Sequence, residues 1–516
     1  MPAAARLARV WTALTLVQIG FLVFFSSLLV FVIDGQRIWA VSDDIYISAC
    51  YARSLAHGAG AVWYPGTPPV EGFSNPLWTL LLAGVHALPF FREEQLGLYV
   101  LLLQVALLSC ASALAFGILR RLLRRAGGSL ELTPLRAATL LLVSLGASAL
   151  PFWLADGFEI ALVLVFALWA LRIALADARS TKRALGIGLL CAACTWTRMD
   201  GVLVCAPALF VLLREPRWTR EDLGFCALGF ALPVAALFGL RYAIFGEWLP
   251  NTYYLKLSGW PLADRLARGV RTNWPIFPAL ALAWGAFALP RTRLALGEAR
   301  HVVFALLATA TGLVLYSCHN GGDSWNLRFG YDRFSAPGAL LLGIALSLAV
   351  LRLGTTRREL WASLVVAVQV ALSPLLFDPS LAYTTRLVTG SYARSEQRSM
   401  IEDGRAFEAC SKPGAKIVLG AAGAIVYFSH RGAYDALGKC DPWVARQPVN
   451  APDFTSGHNK RYLDAIFERD SPEFSNKLPP QACIERYVEC TSLGRHIWVR
   501  RDGPNVLWDK LQIVKK

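Results

Sequence analysis

Two adjacent carboxylates, Asp43 and Asp44, stand just beyond the first long apolar run, at the head of the stretch "DDIYISACYARSLAHGAGAVWYPGTPPVEGFSNPLW". A carboxylate pair at the mouth of a membrane domain can deprotonate an attacking hydroxyl, hold a divalent cation, or do both, because the second acid raises or orients the first. The plainer reading is a helix cap, a place Asp fills well, with a helix expected from Ile45 toward Ala56. Two acids exceed what a cap needs, and the "YPGTPPVEGFSNP" that follows is too rigid and aromatic for an idle connection.

Two further stretches hold polar and aromatic residues between apolar runs. In "CHNGGDSWNLRFGYDR" (318–333) the diglycine lets backbone N–H groups approach a ligand, while Asp323, Arg328 and Arg333 bring charges of both signs. The planar fork of arginine suits phosphate, although a simple turn would use the same glycines. In "FGEWLPNTYYLK" (245–256), Tyr253, Tyr254 and Lys256 fit either a lipid-phosphate contact or an ordinary interfacial aromatic belt. His319 lies near Asp323, but no second His stands at ligand spacing, so no metal site is expected there. Arg198 and Asp200, in "TRMDG", are ionisable residues between two short apolar runs, either functional or paired with each other.

The elements that must position these residues are read from composition. The 516 residues are 55% hydrophobic and 17% charged, with a mean hydropathy of +0.45, well below the charged share of about 25% in soluble domains. Apolar runs of roughly 17–25 residues, the length that crosses a bilayer, recur from 12 to 377 and then stop. The net charge of +15 sits largely in short basic loops such as "RRLLRR" (120–125), "RSTKR" (179–183) and "REPRWTR" (214–220). That is the positive-inside pattern of a membrane protein, and no nucleic-acid partner is expected.

With basic loops inside, the spans fall near 12–33, 96–118, 136–153, 160–176, 184–197, 202–213, 223–244, 274–289, 302–317, 334–351 and 360–377, about eleven in all, with the N-terminus inside. The first is read as a retained span, since no small-residue cleavage site precedes Asp43. The short segment 76–90 is expected to be re-entrant or interfacial and to border a cavity.

The fold expected is thus a polytopic α-helical membrane protein with a C-terminal soluble α/β domain. Residues 1–377 form the membrane domain with its first outer loop at 34–75, and 378–516 form the soluble domain. In that tail "AKIVLGA" reads as a strand, "AGAIVYFS" as a short helix, "GAYDAL" as a second strand, 459–470 as an amphipathic helix, and "IERYVEC" with "RHIWVRR" as a closing strand pair. Of 11 cysteines, seven lie in or beside the apolar part as small buried residues, Cys191 and Cys194 among them. The other four, Cys410, Cys440, Cys483 and Cys490, suit one or two disulfides if the tail is in an oxidising compartment.

The first loop resembles that of GT-C type polyprenyl-phosphate-sugar-dependent glycosyltransferases, in particular the group of mycobacterial cell-wall terminal arabinofuranosyltransferases. The likeness rests on the Asp-Asp-Ile-Tyr-Ile run from Asp43, Tyr51-Ala52-Arg53, the Gly-rich turn, and Val70-Glu71-Gly72-Phe73 with Leu77-Trp78. It continues in order through Gly157-Phe158-Glu159, Thr197-Arg198 with Asp200-Gly201, Leu249 to Lys256, and Gly321-Gly322-Asp323, then into 420–446 and Gly457-His458. Departures include "WYPGTPP" in the first loop, Phe158 and Met199.

This resemblance implies an inverting glycosyltransferase on the outer face of the bacterial cytoplasmic membrane, with the C-terminal domain on the periplasmic side. It would move a sugar, such as the pentofuranose arabinose, from a polyprenyl-phosphate donor to a cell-envelope glycan or lipid acceptor. Asp43 or Asp44 would be the general base. Arg53, Glu71, Glu159, Tyr253, Tyr254, Lys256, Asp323, Arg328 and Arg333 would bind donor or substrate. A divalent cation, if one is used, would sit on Asp43 and Asp44. Rival readings are a lipid-linked sugar transporter or flippase and a membrane-anchored glycan-binding scaffold. There is no Walker A loop, Rossmann fingerprint, HExxH or GxSxG, so no nucleotide site is expected.

Overall fold

The computed structural model describes residues 3–127, 140, 149–257, 259–323, 332–353, 391–451 and 457–514. By packing, the chain divides into two compact units that are discontinuous in sequence. The first comprises Met1–Ser26, Val100–Leu237 and Leu262–Thr389, and the second Ser27–Tyr99, Phe238–Pro261 and Gly390–Lys516. The expected boundary at 377/378 lies outside the described residues, as do the expected span at 360–377 and most of that at 136–153.

Among the described residues four helices are long and apolar enough to cross a membrane: Ala5–Ser27, Glu93–Arg125, Arg220–Phe245 and Pro290–His319, the last with a brief break. Shorter apolar helices cover Pro76–His86, Ile160–Ala174, Phe277–Ala288 and Ala336–Arg352. The helices that fall on the other expected spans within the described residues are shorter. Thr181–Thr197 stops where Arg198 turns extended, at φ −155°, and a 3-10 segment, Met199–Cys205, leads into Ala206–Arg214. Pro76–His86 is about 16 Å long at 1.5 Å per residue, too short to cross, as expected of a re-entrant or interfacial piece.

The first unit is a helical assembly. Ile160–Ala174 is buried nearly all round, the mark of a helix inside a core rather than on its surface. Close crossings depend on glycine: a Cβ on Gly188 would collide with the Cys226 carbonyl oxygen of the Arg220–Phe245 helix.

The first helix ends at Ser27, not at 33, and the β-branched run Val30–Ile33 forms strand β1, paired antiparallel with β2, Gln36–Trp39. The Asp43–Ala56 helix follows. The tail contributes β3 (Lys416–Leu419), β4 (Gly432–Asp435), β5 (Phe474–Ser475), β6 (Tyr487–Ser492), β7 (Arg495–Arg500) and β8 (Gln512–Ile513), in the sheet order β4-β3-β5-β7-β6-β8. The β3–β4 and β3–β5 pairs are parallel, and the β5–β7, β6–β7 and β6–β8 pairs antiparallel.

The helix Ala424–Ser429 makes the β3-to-β4 crossover, and His430, at φ 52°, ends it. Val418, Ala436, Val444, Ile466, Phe467 and Tyr487 form the core of this sheet. The amphipathic helix begins at Leu463, four residues later than expected. All eleven cysteines are free thiols, so the disulfides expected in the tail are not formed.

Candidate functional site

Asp43 and Asp44 occupy the first turn of the Asp43–Ala56 helix, where the partial positive charge of the helix end favours carboxylates. Consecutive helical residues diverge by about 100°, so the two acids meet different partners. Asp43 accepts hydrogen bonds from the backbone N–H groups of Gly423, at 3.2 Å, and Ala424, at 2.7 Å. It therefore caps the Ala424–Ser429 helix across space, a different helix from the one the sequence suggested. Position 423 can supply no cap of its own: a Cβ there would collide with the Asp43 carbonyl oxygen. Ser42, at the N-cap position of the Asp43–Ala56 helix, makes no side-chain cap bond.

Asp44 accepts from the Lys439 ammonium at 2.5 Å. Asp43 is buried, and burial pushes its carboxyl up to about 6 against the opposing pull of Lys439 and the Ala424 N–H. Burial works against the charged form of Lys439, but Asp44 and Asp43 reverse that and hold it above the ordinary lysine value.

The loop bearing Lys439 is tied down by Asn251. Its side-chain amide donates to the carbonyls of Gly438 (2.9 Å) and Lys439 (3.0 Å), and its backbone N–H to the Glu71 carbonyl (3.0 Å). The Glu71 carboxylate makes a buried two-point ion pair with Arg241, at 2.5 and 3.0 Å. Glu71 is thus engaged by a guanidinium of its own unit. Arg53 donates to Glu93 (3.1 Å) and to the Tyr427 carbonyl (2.7 Å), with its guanidinium 4.8 Å from the Tyr427 ring.

On the Asn251–Leu257 helix the Tyr253 ring is half exposed. Tyr254 donates to Glu247 at 3.1 Å and packs under the Arg446 guanidinium at 4.4 Å. Lys256 lies against the turn at Gly457, where a Cβ would come 3.4 Å from Lys256 Cε.

Glu159, Asp323 and Arg333 belong to the first unit. Arg198 bridges Glu159 (2.9 Å) and both carboxylate oxygens of Asp200 (2.9 Å each). Arg333 pairs with Asp323 at 2.7 Å. The two guanidiniums approach the Phe334 ring at 5.2 and 5.5 Å, and Arg333 also approaches Phe158 at 4.8 Å. Both arginines line one small cavity with Asp200, Phe334 and Pro337. Each of the three described carboxylates here meets a guanidinium, so the first role of the cluster is mutual neutralisation of buried charge. Arg328 lies outside the described residues.

The structure therefore gathers Asp43, Asp44, Arg53, Glu71, Tyr253, Tyr254 and Lys256 in one unit and Glu159, Asp323 and Arg333 in the other. Sequence reasoning missed Lys439, Asn251 as its positioner, and Arg241. Asn251 stood inside a quoted motif, but a lysine more than 390 positions beyond Asp44 carried no local signal. Among the described residues no group of three or more His, Cys, Asp or Glu side chains is placed to hold a metal. The pair Asp43–Asp44, with an ammonium already on Asp44, does not by itself make a divalent-cation site.

A family model described as a domain of unknown function, DUF8728, matches residues 391–493, within the tail. No curated protein matches in sequence. Among solved structures, the chain is similar to ArnT from Cupriavidus metallidurans in the apo state, with 14% identity, a TM-score of 0.53, and 96% of this chain and 98% of that one covered. It is similar also to ArnT of the same organism bound to undecaprenyl phosphate, with 13% identity, a TM-score of 0.52 and coverage of 95% and 97%. The chain thus shares the fold of those ArnT structures along nearly its whole length.

Proposed function

We propose that this chain is a membrane glycosyltransferase that moves a sugar from a polyprenyl-phosphate donor to a hydroxyl of a cell-envelope glycan or lipid, with inversion. A pentofuranose such as arabinose is the donor sugar this reading favours, and the outer face of the bacterial cytoplasmic membrane the site, with the tail on the periplasmic side. The supporting observation is the fold likeness over almost the full length of both chains to a structure that holds undecaprenyl phosphate. The arrangement around Asp43 is compatible with this chemistry.

In the proposed reaction the acceptor hydroxyl gives its proton to a carboxylate of the Asp43–Asp44 pair. Its oxygen attacks the anomeric carbon from the face opposite the phosphate, and the bond to the phosphate oxygen breaks. Burial pushes the Asp43 carboxyl up to about 6, where it exchanges a proton near neutral pH, and Asp44, partly open beside Lys439, is the more accessible of the two. Negative charge grows on the departing phosphate, so cations placed there lower the barrier. Lys256 and Arg328 are the proposed donor-phosphate ligands, with Tyr253 packing on the isoprenoid.

The test is transfer by the purified, reconstituted chain from a panel of polyprenyl-phosphate sugars to glycan acceptors, read by mass. Asp43→Asn keeps an oxygen to accept the Gly423 and Ala424 N–H bonds, so it removes basicity while preserving the cap. Asp43→Asn or Asp44→Asn should lower transfer by about 10²-fold or more. Wild-type turnover in both variants, or no transfer from any donor, overturns the reading.

A further inference from the structure

The Leu262–Asn273 helix buries the side that a water-facing helix would expose. Gly269, Thr272 and Asn273 are its buried residues, and a Cβ on Gly269 would collide with the Cys318 backbone. Its apolar residues point out: Leu262 is 48%, Leu266 39% and Val270 47% exposed, and Trp274 just beyond the helix 41%. Spaced four apart, these residues form one stripe, which a helix on a soluble domain would turn toward the core. The same helix carries Arg265, Arg268 and Arg271 against a single acid, Asp264. At 1.5 Å per residue its length is about 18 Å, too short to cross a hydrocarbon core of about 30 Å. An outward apolar stripe, a basic flank and a terminal Trp describe a helix lying along the headgroup–acyl boundary.

The inner face of this helix holds a turn that carries candidate site residues. Arg268 donates to the carbonyl oxygens of Gly321 and Asp323, the latter at 3.0 Å. Asn273 donates to Ser317 Oγ at 2.8 Å, and Ser317 donates in turn to the Asp332 carboxylate. Asp332 also accepts the N–H groups of Asp323 (3.1 Å) and Phe334 (2.7 Å), which flank the Asp323–Arg333 pair. A force on the helix is thereby passed to that pair through a short run of hydrogen bonds.

We propose that Leu262–Asn273 docks on an anionic bilayer surface, its Leu262, Leu266 and Val270 stripe in the acyl boundary and Arg265 and Arg271 at headgroup phosphates, and that docking steadies the 317–323 turn. Only the consequence for catalysis rests on the glycosyltransferase reading, through Asp323 and Arg333.

The experiment uses the full chain in vesicles. Cys110 is the one exposed native thiol among the described residues, so a Cys110→Ser background permits single spin labels at Leu266→Cys, Val270→Cys and Asp264→Cys. Labels at 266 and 270 should sit about 5–10 Å into the headgroup–acyl boundary, while 264 meets the aqueous relaxing agent. The docking is overturned if 266 is as open to water as 264, or if 266 is shielded from both oxygen and the aqueous agent, as a covering protein surface would leave it.

Coupling is read by hydrogen exchange in residues 317–323. Replacing neutral phosphatidylcholine by a mixture with phosphatidylglycerol should slow exchange about fivefold or more, the scale of one arginine–headgroup contact. Leu266→Glu should abolish that slowing, and equal exchange in both vesicles overturns the coupling. Neither readout needs a donor, so failure of sugar transfer leaves this inference standing, and its own failure leaves the transfer reading standing.

Discussion

Two buried sites, one in each unit, hold their acids in opposite ways. In the first, Glu159, Asp200 and Asp323 are met by the guanidiniums of Arg198 and Arg333, so every acid in the cluster faces a permanent cation. In the second, Asp43 is met by two backbone N–H groups, with its nearest cation, Lys439, bonded to Asp44. Burial outweighs the combined pull of Lys439 and the two amide groups, so the Asp43 pKa rises to about 6. One region reads as bracing, and the other holds a buried carboxyl that changes charge near neutral pH.

The largest effect should come from the bracing side. Arg198→Ala removes the guanidinium that bridges Glu159 and Asp200 and should cost about 3–5 kcal/mol, seen as a lower unfolding temperature in detergent. If this variant melts like wild type but loses donor binding, the contrast fails and the cluster is itself a ligand site. A smaller loss belongs to Gly423→Ala. The added methyl group meets the Asp43 backbone, and relieving the clash should cost about 1–3 kcal/mol, measured by the same melt. A wild-type melt there would show that the cap from Asp43 is dispensable.

The finest test is the pH profile. As the proposed base Asp43 must be ionised, so kcat/KM should fall about tenfold per pH unit below 6 and level off above it. Stability runs the other way: a carboxyl whose folded pKa is raised binds more protons folded than unfolded. Its contribution is full below about 3.8 and is lost as pH rises to about 6. Asp43→Asn should remove both inflections. A rate profile flat between pH 5 and 7 in the wild type would assign the proton to another group.

Much of the architecture was legible in the sequence because it follows from local patterns. Hydropathy length marked the apolar helices, and short apolar or β-branched runs marked the tail strands β3, β4, β6 and β7, since both are short-range patterns. The first span was drawn too long because Val30–Ile33 is as apolar as a helix continuation, and its pairing with Gln36–Trp39 depends on a turn that hydropathy does not register. The Asp pair stood out by type and adjacency alone.

What the acids do was decided by partners far along the chain. Asp43 finds its donors at 423 and 424 and Asp44 its cation at 439, and those loops arrive only through the β3-to-β4 crossover and the grip of Asn251 on residues 438 and 439. The outward turn of Leu262, Leu266 and Val270 was settled the same way. Amphipathicity is written in the helix, but which face is covered depends on Gly269 fitting against Cys318. Sequence fixes which groups are present and their local periodicity, and burial and long-range contacts fix the charge each group carries and the surface it faces, because both depend on atoms brought near by folding.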